Sequence, residues 1–452
     1  MSADAASLER RLERWRVART GAAHDDARPA PRGVETVAAR AARLAADLGG
    51  EVVGGGRGTI VRIERPGRCL GVDRRRLADL PGHPDPSVPL VCLDTETTGL
   101  GTAAGTFAFL VGLGWWEETT FRQVQLLLPD QGDEPAFLEA VAAALPVEAW
   151  LVTYNGRTFD WPLLETRFRL RRASPPPLGG HLDLLPFVRR VFRHRLPDAR
   201  LRSVERHVLG LDRVGDVEGW EIPGRYLEVL RGGPARLLAG VVEHNHLDVL
   251  ALAQLLVHVE ARLVSPPDER VPAGDLAGLA RAYRRAGRPD TALACVDAAL
   301  AAVDESPTPA PPSPARAAEP WWSPGRRADI GGPPGHRAMA SRSSPDASPW
   351  TFARIATERA RLLRLVGRDA EAAEAWRVVA ANGGRSAIVA WIEIAKLREH
   401  RLGDLPGALD ATARAGALAE RARLLGRADA ALDRAIAGRA ARLRRRMRRR
   451  AA

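Results

Sequence analysis

The stretch LDTETTGL, residues 93–100, decides how this chain is read. It follows the apolar run PLVC, so it reads as the end of a buried strand entering a tight turn. Asp94 and Glu96 stand two residues apart, a spacing that puts both side chains on one face of a strand. Two adjacent carboxylates in an apolar setting repel each other, and a cation between them is the simplest compensation. Hard oxygen ligands favour Mg2+ or Mn2+. A D-x-E pair alone also marks an ordinary solvated strand end, so this reading needs more carboxylates downstream.

Three later segments supply them. YNGRTFDWPLL (154–164) places Asp160 in the first turn of a helix, where the helix dipole favours a carboxylate and where an Asp is also an ordinary cap. HLDLL (181–185) carries Asp183 at a strand end. HNHLDVLAL (244–252) sits on a helix, and His244 and Asp248, four residues apart, share a face there, with Asn245 and His246 expected to point elsewhere. Around these segments the pattern alternates. It predicts strands at 89–95, 106–116, 121–128, 149–155 and 181–185, and helices at 134–145, 159–172 and 234–264. The glycine cluster at 49–58 lacks the lysine and serine of a phosphate loop and reads as a turn between short strands.

D-x-E-T-T-G, then Y-N-G-x-x-F-D, then H-N-x-x-D, in this order on an α/β frame, resembles the DEDD superfamily of 3′–5′ exonucleases (ribonuclease H-like, DnaQ-like), and within it the YprB-type branch. GTFAFLVGLGWW (105–116) and HLDLLPF (181–187) are similar to that branch as well, and the resemblance covers residues 46–264. It implies a ribonuclease H-like mixed sheet flanked by helices. It implies Asp94, Glu96, Asp160 and Asp248 as ligands of two Mg2+ or Mn2+ ions, with Asp94 bridging them and Glu96 on the side of the attacking water. The family's general base is a Tyr four residues, or a His five residues, before the last Asp. Here His244 takes the first position and Glu243 the second, so His244 is the candidate base. The resemblance sets the turn Thr97, Thr98 and Gly99 against a terminal nucleotide. Asn155, Arg157 and Trp161 are further substrate candidates, Arg157 for a phosphate and Trp161 for a base, with an ordinary surface place the alternative for either, while Asn155 is read first as holding the turn before Asp160. Asp183 is expected to support the site or the fold from outside the ligand set.

Beyond the α/β unit the sequence divides further. Residues 1–48 read as a helical basic arm with helical spacing at Leu8, Leu12 and Trp15 and again over 37–48, followed by the nuclease-like domain at 49–265. Residues 266–303 give a first helical hairpin. The proline-rich stretch 304–350, which contains Trp321 and Trp322, reads as a disordered linker. In 351–438 a Gly and an Asp repeatedly precede an alanine-rich helix (VGRDAEAAEAW, RLGDLPGALD, LGRADAALDRA), as in a tetratricopeptide-like repeat. Residues 439–452 are an arginine-rich tail. The expected class is therefore α/β, a ribonuclease H-like sheet followed by an all-α helical-repeat domain.

The 452 residues leave room for two or more domains, and a net charge of +12 suits a polyanionic partner. Nucleic acid is the expected partner, DNA ahead of RNA, with a protein partner such as a helicase on the C-terminal helices. No apolar run is long enough for a bilayer, the N-terminus carries no signal-peptide pattern, and three scattered cysteines fit a reducing cytoplasm. Two competing functions share these features: an inert nucleic-acid-binding scaffold in a repair complex, and an endonuclease or RNase of the same fold.

Overall fold

A computed structural model describes residues 35–55, 57–99, 105–263, 267–268, 270–304 and 352–451. Leu8, Leu12 and Trp15 of the arm, and Trp321 and Trp322 with nearly all of the linker, lie outside the described residues.

Seven strands form one sheet: β1 Glu51–Gly55, β2 Gly58–Cys69, β3 Leu90–Thr97, β4 Ala108–Glu117, β5 Thr120–Leu127, β6 Trp150–Thr153 and β7 Gly180–Asp183. Their order is β1-β2-β5-β4-β3-β6-β7. β3 lies antiparallel to β4 and parallel to β6, and β6 is parallel to β7. The sheet is mixed, as expected. Its edge hairpin β1–β2 grows out of the glycine cluster, and the twelve-residue β2 is longer than the short strands the sequence suggested.

β3 explains how the sheet divides its core. Leu90 and Cys92 belong to one apolar cluster and Val91 and Leu93 to the other, as the two-residue period of a strand requires. The Val91 face is covered by α1 (Val37–Leu48), α3 (Glu134–Ala144), α4 (Asp160–Leu170) and α7 (Ile222–Leu230). The Leu90 face is covered by α2 (Arg74–Leu77), α5 (Leu184–Val191), α6 (Leu201–Val204) and the long α8 (Ala239–Glu260). Ala41, Leu44 and Ala45 of α1 are buried in the first layer, so residues 37–48, read from sequence as part of an arm, are packed on the α/β unit.

The remaining helices each pack on the next in the chain: α9 (Ala273–Arg285), α10 (Pro289–Asp304), α11 (Phe352–Leu365), α12 (Asp369–Ala381), α13 (Gly384–His400), α14 (Leu405–Leu424) and α15 (Ala430–Ala451). Gly287, Gly367 and Gly426 stand at φ of +74°, +80° and +71°, and the arginine after each donates its N–H back over the last turn. Arg288 reaches Tyr283 at 2.9 Å, Arg368 reaches Leu363 at 2.9 Å and Arg427 reaches Ala422 at 2.8 Å. The recurring Gly-Arg is thus a helix stop, built on the left-handed conformation that glycine adopts at low cost.

The helical array is continuous with the α/β core. α9 lies on α5 so closely that a Cβ on Gly278 would stand 2.5 Å from the Cα of Val191. Fully buried Asp275 locks the junction, accepting from Arg195 at 2.8 Å and Arg262 at 3.3 Å. Residues 439–451 of the stretch read as a tail belong to α15, whose Leu443 is buried against Leu405 and Ala408. Among the described residues no helix is long and apolar enough to cross a membrane.

Candidate active site

The parity that splits the core also sorts the β3 carboxylates. Asp94 and Glu96 continue the Leu90–Cys92 face, under α8, whereas Thr95 continues the opposite face. Thr95 Oγ1 donates to Asp160 Oδ1 at 2.5 Å, which ties the first residue of α4 to the strand end. The turn into α4 is held from behind. Asn155 adopts φ +67°, and its N–H donates to Asp183 Oδ1 at 2.8 Å. Asp183 also accepts from Leu185 N at 3.0 Å, capping α5. Asp183 and Asn155 therefore fix the backbone that presents Asp160, a local left-handed turn that Asn tolerates well.

α8 supplies the other half. Its Asn245 was expected to point elsewhere. Instead, Asn245 is fully buried and its Nδ2 donates to Asp94 Oδ2 at 2.9 Å and to the Asp94 carbonyl at 3.2 Å. Its own Oδ1 accepts from Gln125 Nε2 at 2.9 Å, and Gln125 accepts from Arg65 Nε at 3.0 Å. The helix comes this close only because β4 carries glycine at two contact points. A Cβ on Gly112, the register partner of Asp94, would meet Asn245 Oδ1 at 2.3 Å, and one on Gly114 would meet Val249 Cγ1 at 2.9 Å. His246 points away, buried and hydrogen-bonded to Gln123.

Asp248 lies one turn along α8. Its Oδ1 accepts from Arg213 Nη2 at 2.5 Å, and its Oδ2 stands 3.6 Å from His244 Nε2. Arg213 is nearly buried and also donates to Glu205 Oε1 at 2.7 Å and Asp216 Oδ2 at 3.3 Å. His244 Nδ1 pairs with Asp216 Oδ1 at 2.7 Å. A histidine held this way keeps its proton on Nδ1 and turns Nε2 toward Asp248.

Charge is crowded here. Burial, then Asp248, Glu96 and Asp160, push Asp94 well above the usual carboxylate range against the hydrogen bond from Asn245. Burial, then Asp248, Asp160 and Asp216, push Glu96 up in the same way. Burial takes Asp160 to about 6 although Thr95 opposes it. Burial also tends to raise Asp216, but the hydrogen bond and charge of His244, with Arg213, hold it below its ordinary value. Burial disfavours the Arg213 cation, yet Asp248 and Glu205 outweigh it and keep that cation secure.

The carboxylates Asp94, Glu96, Asp160 and Asp248, from three distant segments, are thus close enough to act on one another's protons. Among the described residues no three His, Cys, Asp or Glu side chains form a ready-made metal cage, and Asn245, Thr95 and Arg213 each hold one of the carboxylates to a protein partner. The donor set is nonetheless all-oxygen, and crowded buried carboxylates are relieved by a hard divalent ion. The donor chemistry therefore fits such an ion.

The other substrate candidates divide. Thr97 Oγ1 donates to the Gly99 carbonyl at 2.6 Å, and Thr98 Oγ1 accepts from Phe107 N at 3.0 Å, so both shape the turn beyond β3. Arg157 is exposed, and its Nη2 donates to the His181 carbonyl at 2.6 Å. Trp161 is not at the surface: only 9 % is exposed, and it packs in the layer under α4 with Nε1 donating to Glu165 at 3.0 Å. The spacing that put it beside Asp160 also turns it into the core, because the next residue on a helix lies about 100° round the axis. Asp216, Arg213, Glu205, Gln125 and Asn245 were missed from sequence. Asn245 had the one usable signal, its place within H-N-x-x-D between two residues already singled out.

Residues 91–260 match the model of the RNase_H_2 family, of the RNase_H superfamily. Over 178 residues the chain is 39% identical to the "Uncharacterized protein YprB" of Bacillus subtilis (strain 168), a stretch covering 39% of this chain and 43% of that protein. The chain thus spans less than half the length of the curated relative it matches.

Proposed function

We propose, from the premise that residues 91–260 belong to the ribonuclease H-like superfamily in its YprB-type branch, that the chain is a metal-dependent nuclease, a 3′–5′ exonuclease acting on DNA in repair or nucleic-acid processing. The observation that carries this reading is the gathering of Asp94, Glu96, Asp160 and Asp248 from three distant segments: burial raises the first three, and the charges of Asp248 and Asp160 raise Asp94 and Glu96 further. A fold that keeps three acids raised in one cleft holds an unfavourable arrangement that a cationic ligand relieves. A pair of Mg2+ or Mn2+ ions, held by Asp94, Glu96, Asp160 and Asp248, would supply Lewis-acid stabilisation of the charge that develops as a phosphodiester is hydrolysed.

The chain's own side chains do the rest. Asn245 aims the Asp94 carboxylate through one hydrogen bond and holds its main-chain carbonyl through another, backed by Gln125 and Arg65. Thr95 fixes Asp160. His244 accepts a proton from the attacking water at Nε2, while Asp216 holds its Nδ1–H and steadies the imidazolium that results. Arg213 balances part of the negative charge on Asp248, Glu205 and Asp216. The turn Thr97–Gly99, which follows Glu96 directly, and exposed Arg157, three residues before Asp160, are the residues to meet an entering strand end.

The test is polarity. With Mg2+ or Mn2+, a 3′-labelled strand should lose its label as mononucleotides from the first time points while a 5′-labelled strand shortens progressively. Cutting of a circular, end-free substrate would replace this reading with an endonuclease. Tight binding without turnover in either metal would replace it with an inert scaffold.

A further inference from the structure

α5 leaves the Asp183 cap and carries Arg189 and Arg190 toward the helical array. α9, packed on α5, presents Arg281, Arg284 and Arg285, an i, i+3, i+4 set on one helical face. α11 adds Arg361. All six line one cavity of about 450 Å³ at the junction of the α/β unit and the array. Among the described residues its one acidic lining residue is Glu358, which already receives Arg284 at 2.8 Å and lies 3.8 Å from Arg361. A second cavity, of about 380 Å³, is lined by Asn155, Arg189 and Arg200 among others. Arg189 borders both, so the two adjoin. Asn155 belongs to the turn that presents Asp160.

We propose that the two adjoining cavities are a track for the phosphate backbone of a polynucleotide strand, running from the Asp160 turn across α5 to the arginine-lined junction. The direction of the track rests on the nuclease reading; the binding chemistry does not. Leaving Arg281 aside, the guanidinium groups of Arg189, Arg190, Arg284, Arg285 and Arg361 face one engaged carboxylate and leave an excess of fixed positive charge, and the planar fork of arginine matches phosphate oxygens. Burial, with Arg285 beside it, lowers Arg190, a cost that an anion would offset. A single bound phosphate needs one cavity. Two in series, sharing Arg189, suit an anion that repeats.

The test uses the full chain in EDTA, so that binding is read without turnover. Labelled single-stranded DNA, the same strand in RNA, the DNA duplex and inorganic phosphate as competitor are compared by anisotropy. Replacing Arg189, Arg285 and Arg361 together by Gln should weaken strand binding by about tenfold or more and flatten the log–log salt dependence by about two. Lys at the same three positions should restore most of the affinity. Unchanged affinity and slope in the Gln variant would overturn the track, as would displacement of the strand by millimolar phosphate equally in wild type and variant. If the triple variant does not melt cooperatively, Arg285→Glu at its exposed site makes the same comparison, with a loss of about threefold expected and no loss overturning the track. Binding that obeys these expectations without any cleavage would sink the nuclease reading and leave the track. Full cleavage with arginine-independent binding would do the reverse.

Discussion

Two of the places where the described residues bury carboxylates treat them in opposite ways. In the helical array, fully buried Glu399 receives Arg439 at 2.5 Å, Arg442 at 3.0 Å and Arg446 at 2.9 Å from one face of α15. The hydrogen bond from Arg442, with that from Arg446, outweighs burial and draws Glu399 down to about 2. Under α8, several acids share one principal cation, Arg213, and four of them, Asp94, Glu96, Asp160 and Glu205, are pushed up, burial being the largest cause for each. A carboxylate that serves the fold brings its own cations. One kept short of them is held for something that arrives from outside. Of the arginines near the end of the chain, Arg439, Arg442 and Arg446 are engaged by Glu399.

The largest expected contrast comes from removing one charge at each place. Asp248→Asn should lower nuclease activity by about a thousandfold while leaving thermal stability unchanged or raised, because it relieves Asp94 and Glu96. A clear drop in melting temperature would mean that the cleft acids serve the fold after all. Glu399→Ala should do the opposite, destabilising the array by about 3 kcal/mol by stranding three guanidinium groups, with cleavage of short substrates retained. Chemical unfolding followed at the array's tryptophans, Trp376 and Trp391, would read it.

Next in size is the hydrogen bond that aims Asp94. Asn245→Ala should cost about 10–100-fold in activity. Gly112→Ala, which drives a Cβ into Asn245, should lose activity in the same range with a stability cost of about 1–3 kcal/mol. A fully active Gly112→Ala would show that the close approach of α8 is incidental.

The smallest effect is on pH. Asp160 is raised to about 6, so without metal its ionisation should weaken the α/β unit as pH climbs from about 4 to 6, and divalent metal should reverse the loss. Glu399 is lowered to about 2, so its contribution should be complete above about pH 4.5 and disappear as pH falls toward 2. Opposite slopes in metal-free melting curves would display the contrast in one experiment.

The sequence spoke clearly where chemistry is written in local order. The strand ending in D-x-E, the Asp that opens α4 and the Asp on α8 each stand in a short motif, and strand parity and helix spacing then place their side chains. Asp216 and Arg213 lie in a loop without periodicity, and they join His244 and Asp248 across 28 and 35 residues. Gln125 reaches Asn245 across 120. No local pattern encodes such pairings. Trp161 shows the converse error: closeness in sequence to Asp160 suggested closeness to substrate, yet the helix turns it into the core. The arm was read from composition and helical spacing and the tail from composition; of their described residues, 37–48 and 439–451 are placed by packing, since Leu44 and Leu443 are buried.

The most direct measurement is digestion of end-labelled DNA by the full chain with Mg2+ or Mn2+, wild type beside Asp94→Ala, each with and without EDTA. Wild type should shorten the strand from its 3′ end only when metal is present, and Asp94→Ala should leave it intact while melting at or above the wild-type temperature. Cleavage that persists in Asp94→Ala, or that is indifferent to EDTA, would contradict a catalytic role for the shared carboxylate cleft.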